Sequence, residues 1–380
     1  MLIAIVISVS ALVVFGAGKK AGKKLEPYKI GAIFSVTGRA APLGTPEKET
    51  AEMLVDQINK AGGIKGHKIE LIIEDDASEE GKAVMAAKKL LEKDDVLAVI
   101  GPSVSGNSLA IMKLFEAAKT PLISCAASVK IVEPVNPWVF NTPQTDRLAV
   151  TKILKYFEKK KIKKIAFISD SNAYGESGRI EIENLAPRYG IEIVAKEKFG
   201  GEDTDMTAQL THIKGTDAQA IVCWGTNPGP AVVTRNMKQI GLKIPLVQSH
   251  GIANRKFIEL AGGAADGVIL PAGRLIVADQ LPNSDKQKAV LIKYAKDYKA
   301  KYKKDADTFG GHAFDALSIL SKALAKSGTD KAKLRKEIEN TKGYVGTGGI
   351  FTYTPKNHNG LQSDAFVMVK VVKGDWSLMK

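Results

Sequence analysis

Cysteine is scarce in this chain, which limits what chemistry it can hold. The 380 residues include two cysteines, Cys125 and Cys223, and each stands at the end of an apolar run. Two cysteines cannot form a disulfide framework, and neither has metal-ligand spacing. We therefore expect buried free thiols and no metal site. A single disulfide is the alternative in an exported protein.

Sequence motifs of catalysis and nucleotide binding are also missing. There is no glycine-rich phosphate loop, no complete Gly-x-Gly-x-x-Gly after the first strand, no Gly-x-Ser-x-Gly and no His-Glu-x-x-His. Asp75 and Asp76 are neighbours on a predicted strand, so their side chains point to opposite faces. We predict a binding protein without catalytic residues or cofactor. The weaker alternative is an enzyme that uses Tyr174 and His250 as acid and base.

Positive charge is plentiful, but its pattern does not favour nucleic acid. The 55 lysines and arginines outnumber 41 acidic residues, which gives a net charge of +14. The lysines occur singly or in short groups such as 159–161, without interleaved aromatic residues. We expect a solvated basic surface and no nucleic-acid partner. Such a surface can still attract anionic lipid or an acidic ligand.

A long apolar run occurs at the start of the chain. Residues 2–15 are uncharged and apolar, and Gly16-Ala17-Gly18 and two lysine pairs follow. Fourteen residues are few for a membrane span. We therefore predict that residues 1–24 are a signal segment for export to the periplasm. A retained membrane anchor is the alternative.

From residue 28 to residue 270, apolar runs alternate with helical patterns. The alternation begins with the strand pattern at 28–35 and restarts at 164–169. It predicts an α/β fold whose parallel sheets are covered by helices, and the length suggests two domains. The rest of the chain is expected to complete these two lobes. It contains helices predicted at 284–302, 310–327 and 330–340 and strands predicted at 346–353 and 365–372.

Two apolar runs end in small polar residues, at 99–108 and at 121–128. Open α/β sheets bind ligands outside the carboxyl ends of their strands. Ser105 and Ser128 offer hydroxyl groups there, and residues 103–108 offer backbone N–H groups before a helix predicted at 109–119. We predict a small-ligand site at these loops. The alternative is that the serines only cap helices.

Five stretches together resemble a known family: KIGAIFSVTG (29–38), INKAGGIKGHKIELIIEDDAS (58–78), VIGPSVSGNS (99–108), DSNAYGESG (170–178) and GHAFDAL (311–317). They resemble the periplasmic solute-binding proteins of ABC transporters for branched-chain amino acids, the leucine/isoleucine/valine type. The resemblance implies a type I periplasmic binding protein fold, in which two doubly wound parallel-sheet lobes are joined by a three-crossing hinge and close around a ligand. Matching places lobe 1 at 27–146 plus 276–354, and lobe 2 at 147–275 plus 355–380.

The resemblance also implies which residues touch the ligand. Lobe 1 would hold a carboxylate through the Ser105 hydroxyl, the Ala126 backbone, and the hydroxyl and N–H of Ser128. Lobe 2 would contribute Tyr174 and a position at Thr226 or Asn227. Leu43 matches an aromatic residue that lines the pocket of the family.

His250 departs from the family pattern. It stands where amino-acid binders place the carboxylate that pairs with the ligand ammonium, and a buried ammonium without such a partner is costly. Either Asp170 replaces the missing acid and the ligand is a branched-chain amino acid, or the ligand is an aromatic or other non-amino carboxylate. The implied partner is the permease of an ABC transporter. A ligand-sensing receptor or regulator is the alternative class.

Overall fold

The computed structural model describes residues 25–379, so the predicted signal segment lies outside the described residues. The first sheet has five strands, all parallel, in the order β2-β1-β3-β4-β5. Its strands are β1 (Tyr28–Phe34), β2 (Ile69–Asp75), β3 (Val99–Ile100), β4 (Leu122–Ser124) and β5 (Val139–Asn141). The helices between them are α1 (Ala41–Lys60), α2 (Glu80–Lys88) and α3 (Ser105–Ala117).

The second sheet follows the same alternation. Its strands are β6 (Lys164–Asp170), β7 (Glu192–Phe199), β8 (Ala220–Trp224), β9 (Leu246–Gln248) and β10 (Ile269–Gly273), all parallel. The helices of this part are α4 (Asp146–Lys159), α5 (Ala173–Leu185), α6 (Thr207–Lys214), α7 (Gly229–Gln239) and α8 (Arg255–Ala261). The predicted α/β class with two parallel sheets is confirmed.

The chain then returns to the first sheet before it ends on the second. The remaining elements are α9 (Lys288–Tyr302), α10 (Thr308–Ser327), α11 (Lys331–Glu339), β11 (Tyr344–Val345), β12 (Ile350–Phe351), β13 (Phe366–Val372) and β14 (Asp375–Leu378). Strands β13 and β14 add an antiparallel edge to the second sheet, whose order is β14-β13-β10-β9-β8-β6-β7. Over residues 25–379 the chain therefore passes between the lobes three times.

Helix α10 fills the core of the first lobe. Ala313, Leu317, Leu320 and Leu324 recur at helical spacing and pack in one buried cluster with the underside of the first sheet. Gly310 lets α10 approach its neighbours closely, because a Cβ there would stand 2.7 Å from Thr50 Oγ1 on α1. Through this 20-residue helix, a late part of the sequence packs against the first sheet.

The lobe boundaries inferred from the resemblance stay a prediction. The packing places Leu361 and Ala365 in the core of the first lobe, beyond the predicted end of lobe 1 at 354. At Phe366 the chain enters β13 of the second sheet.

The strand predicted over 346–353 is wrong. The segment forms a short antiparallel hairpin of β11 and β12, and its turn is built on Asp315 of α10. The N–H groups of Thr347 and Gly348 each donate to the Asp315 carboxylate at 2.7 Å, and Thr347 Oγ1 donates at 3.0 Å. A buried carboxylate 32 residues away in sequence therefore sets the turn, and local periodicity cannot reveal it.

We expect Asp315→Ala to lower the free energy of unfolding by about 2–4 kcal/mol, because it leaves two buried N–H groups without an acceptor. Chemical denaturation measures this. Asp330→Ala is the control, because Asp330 also accepts a backbone N–H (Lys333, 2.9 Å) but only caps the exposed start of α11. That change should cost about 1 kcal/mol. Equal effects would contradict the role of Asp315.

Candidate ligand-binding site

A cavity of about 170 Å³ lies where the carboxyl ends of the two sheets face each other. The first lobe lines it with residues 103–107 after β3 and 125–127 after β4. The second lobe lines it with residues 172–174 at the start of α5, with Thr226, and with 250–251. This is the edge at which open α/β sheets bind ligands.

Most of the predicted site residues meet at this cavity. Its lining includes Ser105, Ala126, Tyr174, Thr226 and His250, together with Leu43. Ser128 is fully buried and lies outside the lining. The structure thus brings these residues together, while their individual contacts with a ligand stay predictions.

Ser105 and Ser128 act as a pair. The helix predicted over 109–119 begins earlier, and Ser105 is its first residue. The N–H of Ser128 donates to Ser105 Oγ at 3.3 Å, so the hydroxyl proton of Ser105 remains available for a ligand oxygen. Ser128 Oγ donates to Ser177 Oγ of the second lobe at 3.0 Å. Ser128 therefore holds the Ser105 hydroxyl in place through its N–H and links the two lobes through its own hydroxyl.

Ala126 is held firmly by its backbone. Its N–H donates to Ser124 Oγ at 3.1 Å, and its carbonyl oxygen accepts from Asn141 Nδ2 at 3.2 Å. Since the N–H is already engaged, Ala126 offers a ligand its methyl group and the second lone pair of its carbonyl oxygen.

Two neutral imidazoles line the cavity. Burial lowers the pKa of His250 to about 3, and burial, followed by the proximity of His250, lowers the pKa of His312 to about 3. His250 Nδ1 lies 3.3 Å from Tyr174 Oη, and its ring packs edge-on against Tyr174, Trp224 and Phe366. At neutral pH neither ring carries a charge that could attract a ligand carboxylate.

Asp170 is engaged by an arginine from the opposite lobe. Arg39 Nη1, in the loop after β1, donates to Asp170 Oδ2 at 3.0 Å. The guanidinium lies against Gly201, where a Cβ would collide with it. Burial raises the pKa of Asp170, and the charge of Arg39 opposes that shift. Asp170 is 1% exposed and does not line the cavity, so this acid faces Arg39 and not a ligand.

The sequence analysis did not single out several lining residues. They are Arg39, Ser78, Glu80, Asn172, Phe309 and His312. His312 had one usable signal, because it is a histidine within an apolar helical pattern and within the GHAFDAL stretch. Arg39 and Glu80 had none, because each reaches the cavity from a loop or helix end remote in sequence from Ser105.

Other expectations from composition can be compared with the structure. Cys125 and Cys223 are buried free thiols, as predicted. Between residues 25 and 379, no helix combines the length and apolar character that crossing a bilayer requires. In the same range, no group of three or more histidine, cysteine, aspartate or glutamate side chains is placed to bind a metal.

Two α/β lobes that enclose a small cavity with hydroxyl and imidazole groups define a solute-binding receptor. The chain belongs to the periplasmic binding protein family, which it matches over residues 27–375. Its relatives are solute-binding proteins, not enzymes. The predicted family and the non-enzymatic class are therefore confirmed, and the family implies a location outside the cytoplasm.

The similarity extends over most of the chain. It is 27% identical over 328 residues to the leucine-, isoleucine-, valine-, threonine- and alanine-binding protein of Pseudomonas aeruginosa, which is 86% of this chain and 85% of that protein. An extracellular ligand-binding receptor from Rhodopseudomonas palustris HaA2 superimposes with a TM-score of 0.88 at 28% identity, covering 93% of this chain and 99% of that one. A branched-chain amino acid transporter substrate-binding protein from Streptococcus pneumoniae, in complex with isoleucine, gives 0.83 at 27% identity, with the same coverage.

Because His250 and His312 are neutral when buried, the free energy of unfolding should decrease as the pH falls. An unfolded histidine has a pKa near 6.5, and His250 and His312 have folded pKa values of about 3. Their contribution is complete above pH 6.5 and is lost as the pH falls toward 3, by about 1 kcal/mol per pH unit for each ring. The double variant His250→Gln/His312→Gln should therefore lose less stability between pH 6.5 and pH 4 than the unmodified protein.

Urea denaturation at several pH values measures the difference. The control is Thr226→Val, which changes a residue of the same cavity that has no titratable side chain. This variant should keep the original pH profile. A double variant whose profile matched that of the unmodified protein would contradict the neutral state of the two buried rings.

Proposed function

We propose that this chain is the periplasmic solute receptor of an ABC importer, and that it binds a small carboxylate between its lobes by hinge closure. The observation that carries the proposal is the cavity between the lobes, lined by the strand ends of both lobes and by the hydroxyl of Ser105. The names of its relatives support a transport role. A receptor for signalling remains the alternative class.

The Ser105 side of the cavity suits a carboxylate. Ser105 is the first residue of the 13-residue helix α3, whose N-terminus carries partial positive charge. Its hydroxyl proton is available, and the bond from Ser128 fixes the oxygen. A hydroxyl and backbone groups at a helix start can hold a carboxylate without a full counter-charge.

Contacts between the lobes support closure. The Arg39–Asp170 pair, the Ser128–Ser177 bond and the bond from Asn254 Nδ2 to the carbonyl oxygen of Pro42 (3.3 Å) each join one lobe to the other. All three would break if the lobes moved apart. We propose that they form together as the cleft closes.

The leading ligand class is a branched-chain amino acid, because relatives of this chain carry that name. A second candidate is an aromatic or other non-amino carboxylate. The observation that favours it is the state of the lobe 2 side chains: His250 is neutral and Asp170 is bound to Arg39. Neither offers a free negative charge to a ligand ammonium.

Calorimetric titration of the refolded full chain tests the ligand class. We expect leucine to bind, and Ser105→Ala to weaken binding about 10- to 100-fold through loss of a bond to a charged group. Ser327→Ala, a serine at the far end of α10, should leave affinity unchanged. If 4-hydroxybenzoate bound and leucine did not, the second candidate would replace the first. Absence of binding by both would reject both proposed classes.

Removal of the Arg39–Asp170 pair should change shape more than stability. With Arg39→Gln, Asp170 can regain water if the lobes separate, so neither lobe needs to unfold. Small-angle scattering should show a larger radius of gyration without ligand, while the thermal midpoint stays within a few degrees. Arg179→Gln is the control, because Arg179 pairs with Glu183 within α5 alone (2.6 Å). An unchanged radius in Arg39→Gln would argue against the role of this pair in closure.

A further inference from the structure

Glu80 is an acidic residue that lines the cavity. It is the first residue of α2, and its side chain reaches across to α3. A Cβ at Gly106, the residue after Ser105, would collide with Glu80 Oε1. Among the described residues that line the cavity, no other is an aspartate or glutamate. The acid therefore lies beside the proposed carboxylate site.

Glu80 is exposed to solvent, and its carboxylate has no partner among the residues that the structure describes. Across residues 25–379, no side chain or backbone group forms a hydrogen bond or ion pair with it. Its neighbour Glu79 stands at the same helix end and bonds Lys82 Nζ at 2.9 Å. An acid in the first turn of a helix has a structural explanation, since it complements the helix dipole. That explanation does not require Glu80 to point at Gly106 in the cavity.

The charges around Glu80 favour a ligand with a cationic group. A ligand that carried only a carboxylate would bring its negative charge close to Glu80 and be repelled. A zwitterion can place its carboxylate on Ser105 and its ammonium on Glu80, since one carbon joins the two groups and Ser105 and Gly106 are adjacent. Arg39 does not compete, because its guanidinium is bonded to Asp170.

We propose that Glu80 binds the amino group of the ligand and so makes the receptor select amino acids over the corresponding acids. This inference rests on the proposed function and specifies its ligand class. It assigns charge selection to lobe 1, where Glu80 and Ser105 share one end of the cavity.

Two matched pairs test this assignment. Leucine and 4-methylpentanoate differ by the amino group, and Glu80→Gln and Glu79→Gln remove the same charge from the same helix end. By calorimetry on the refolded full chain, the unmodified protein should bind leucine more tightly than 4-methylpentanoate. Glu80→Gln should weaken leucine binding by up to about fivefold, as expected for an ion pair with an exposed carboxylate, and leave 4-methylpentanoate binding unchanged or stronger. Glu79→Gln should behave like the unmodified protein.

The outcomes separate this inference from the proposed function. Equal leucine affinity in Glu80→Gln and Glu79→Gln would overturn the role of Glu80 and leave an amino-acid receptor in place. Tighter binding of 4-methylpentanoate or 4-hydroxybenzoate than of leucine would overturn it as well, while the carboxylate receptor stands. If none of the three ligands bound, both proposals would fail. Since Glu80 is exposed to solvent, its substitution should not change the thermal midpoint, which verifies folding.

Discussion

The shared direction of the parallel strands determines where this protein can have a site. Strands that run the same way end at the same edge, so the loops after β3 and β4 lie together, and so do those after β6, β8 and β9. Because the two edges face each other, small residues from remote parts of the chain enclose one cavity. The rest of the site depends on that arrangement, including the serine pair and the contacts between lobes.

The architecture could be predicted because it rests on local patterns. Apolar runs such as 164–169 and 220–224 predict buried strands, and the observed strands agree closely. Strands β5 and β14 show no such signal, because β5 has only three residues and β14 mixes charged, aromatic and polar side chains. The hairpin at 344–351 depends on Asp315, which lies on another element.

The site was predictable in part for the same reason. Ser105, Ala126, Tyr174, Thr226 and His250 follow strands, so pattern and resemblance could point to them. The pairing of Arg39 with Asp170 joins residues 131 positions apart, and no spacing rule connects them. The engagement of Ser128 by Ser177 is equally remote. The charge state of His250 could not be predicted from the sequence either, because its neutrality follows from burial and not from residue type.

The return of the chain to the first lobe has a consequence for the order of synthesis. Helix α10 packs in the core of the first lobe beneath β1, yet it is made more than two hundred residues later. All five parallel strands of the second lobe are complete before α10 leaves the ribosome. During synthesis, the face of the first sheet that α10 later covers therefore stays exposed, while most of the second lobe can already fold. This order leaves the first lobe incomplete until the chain is nearly finished.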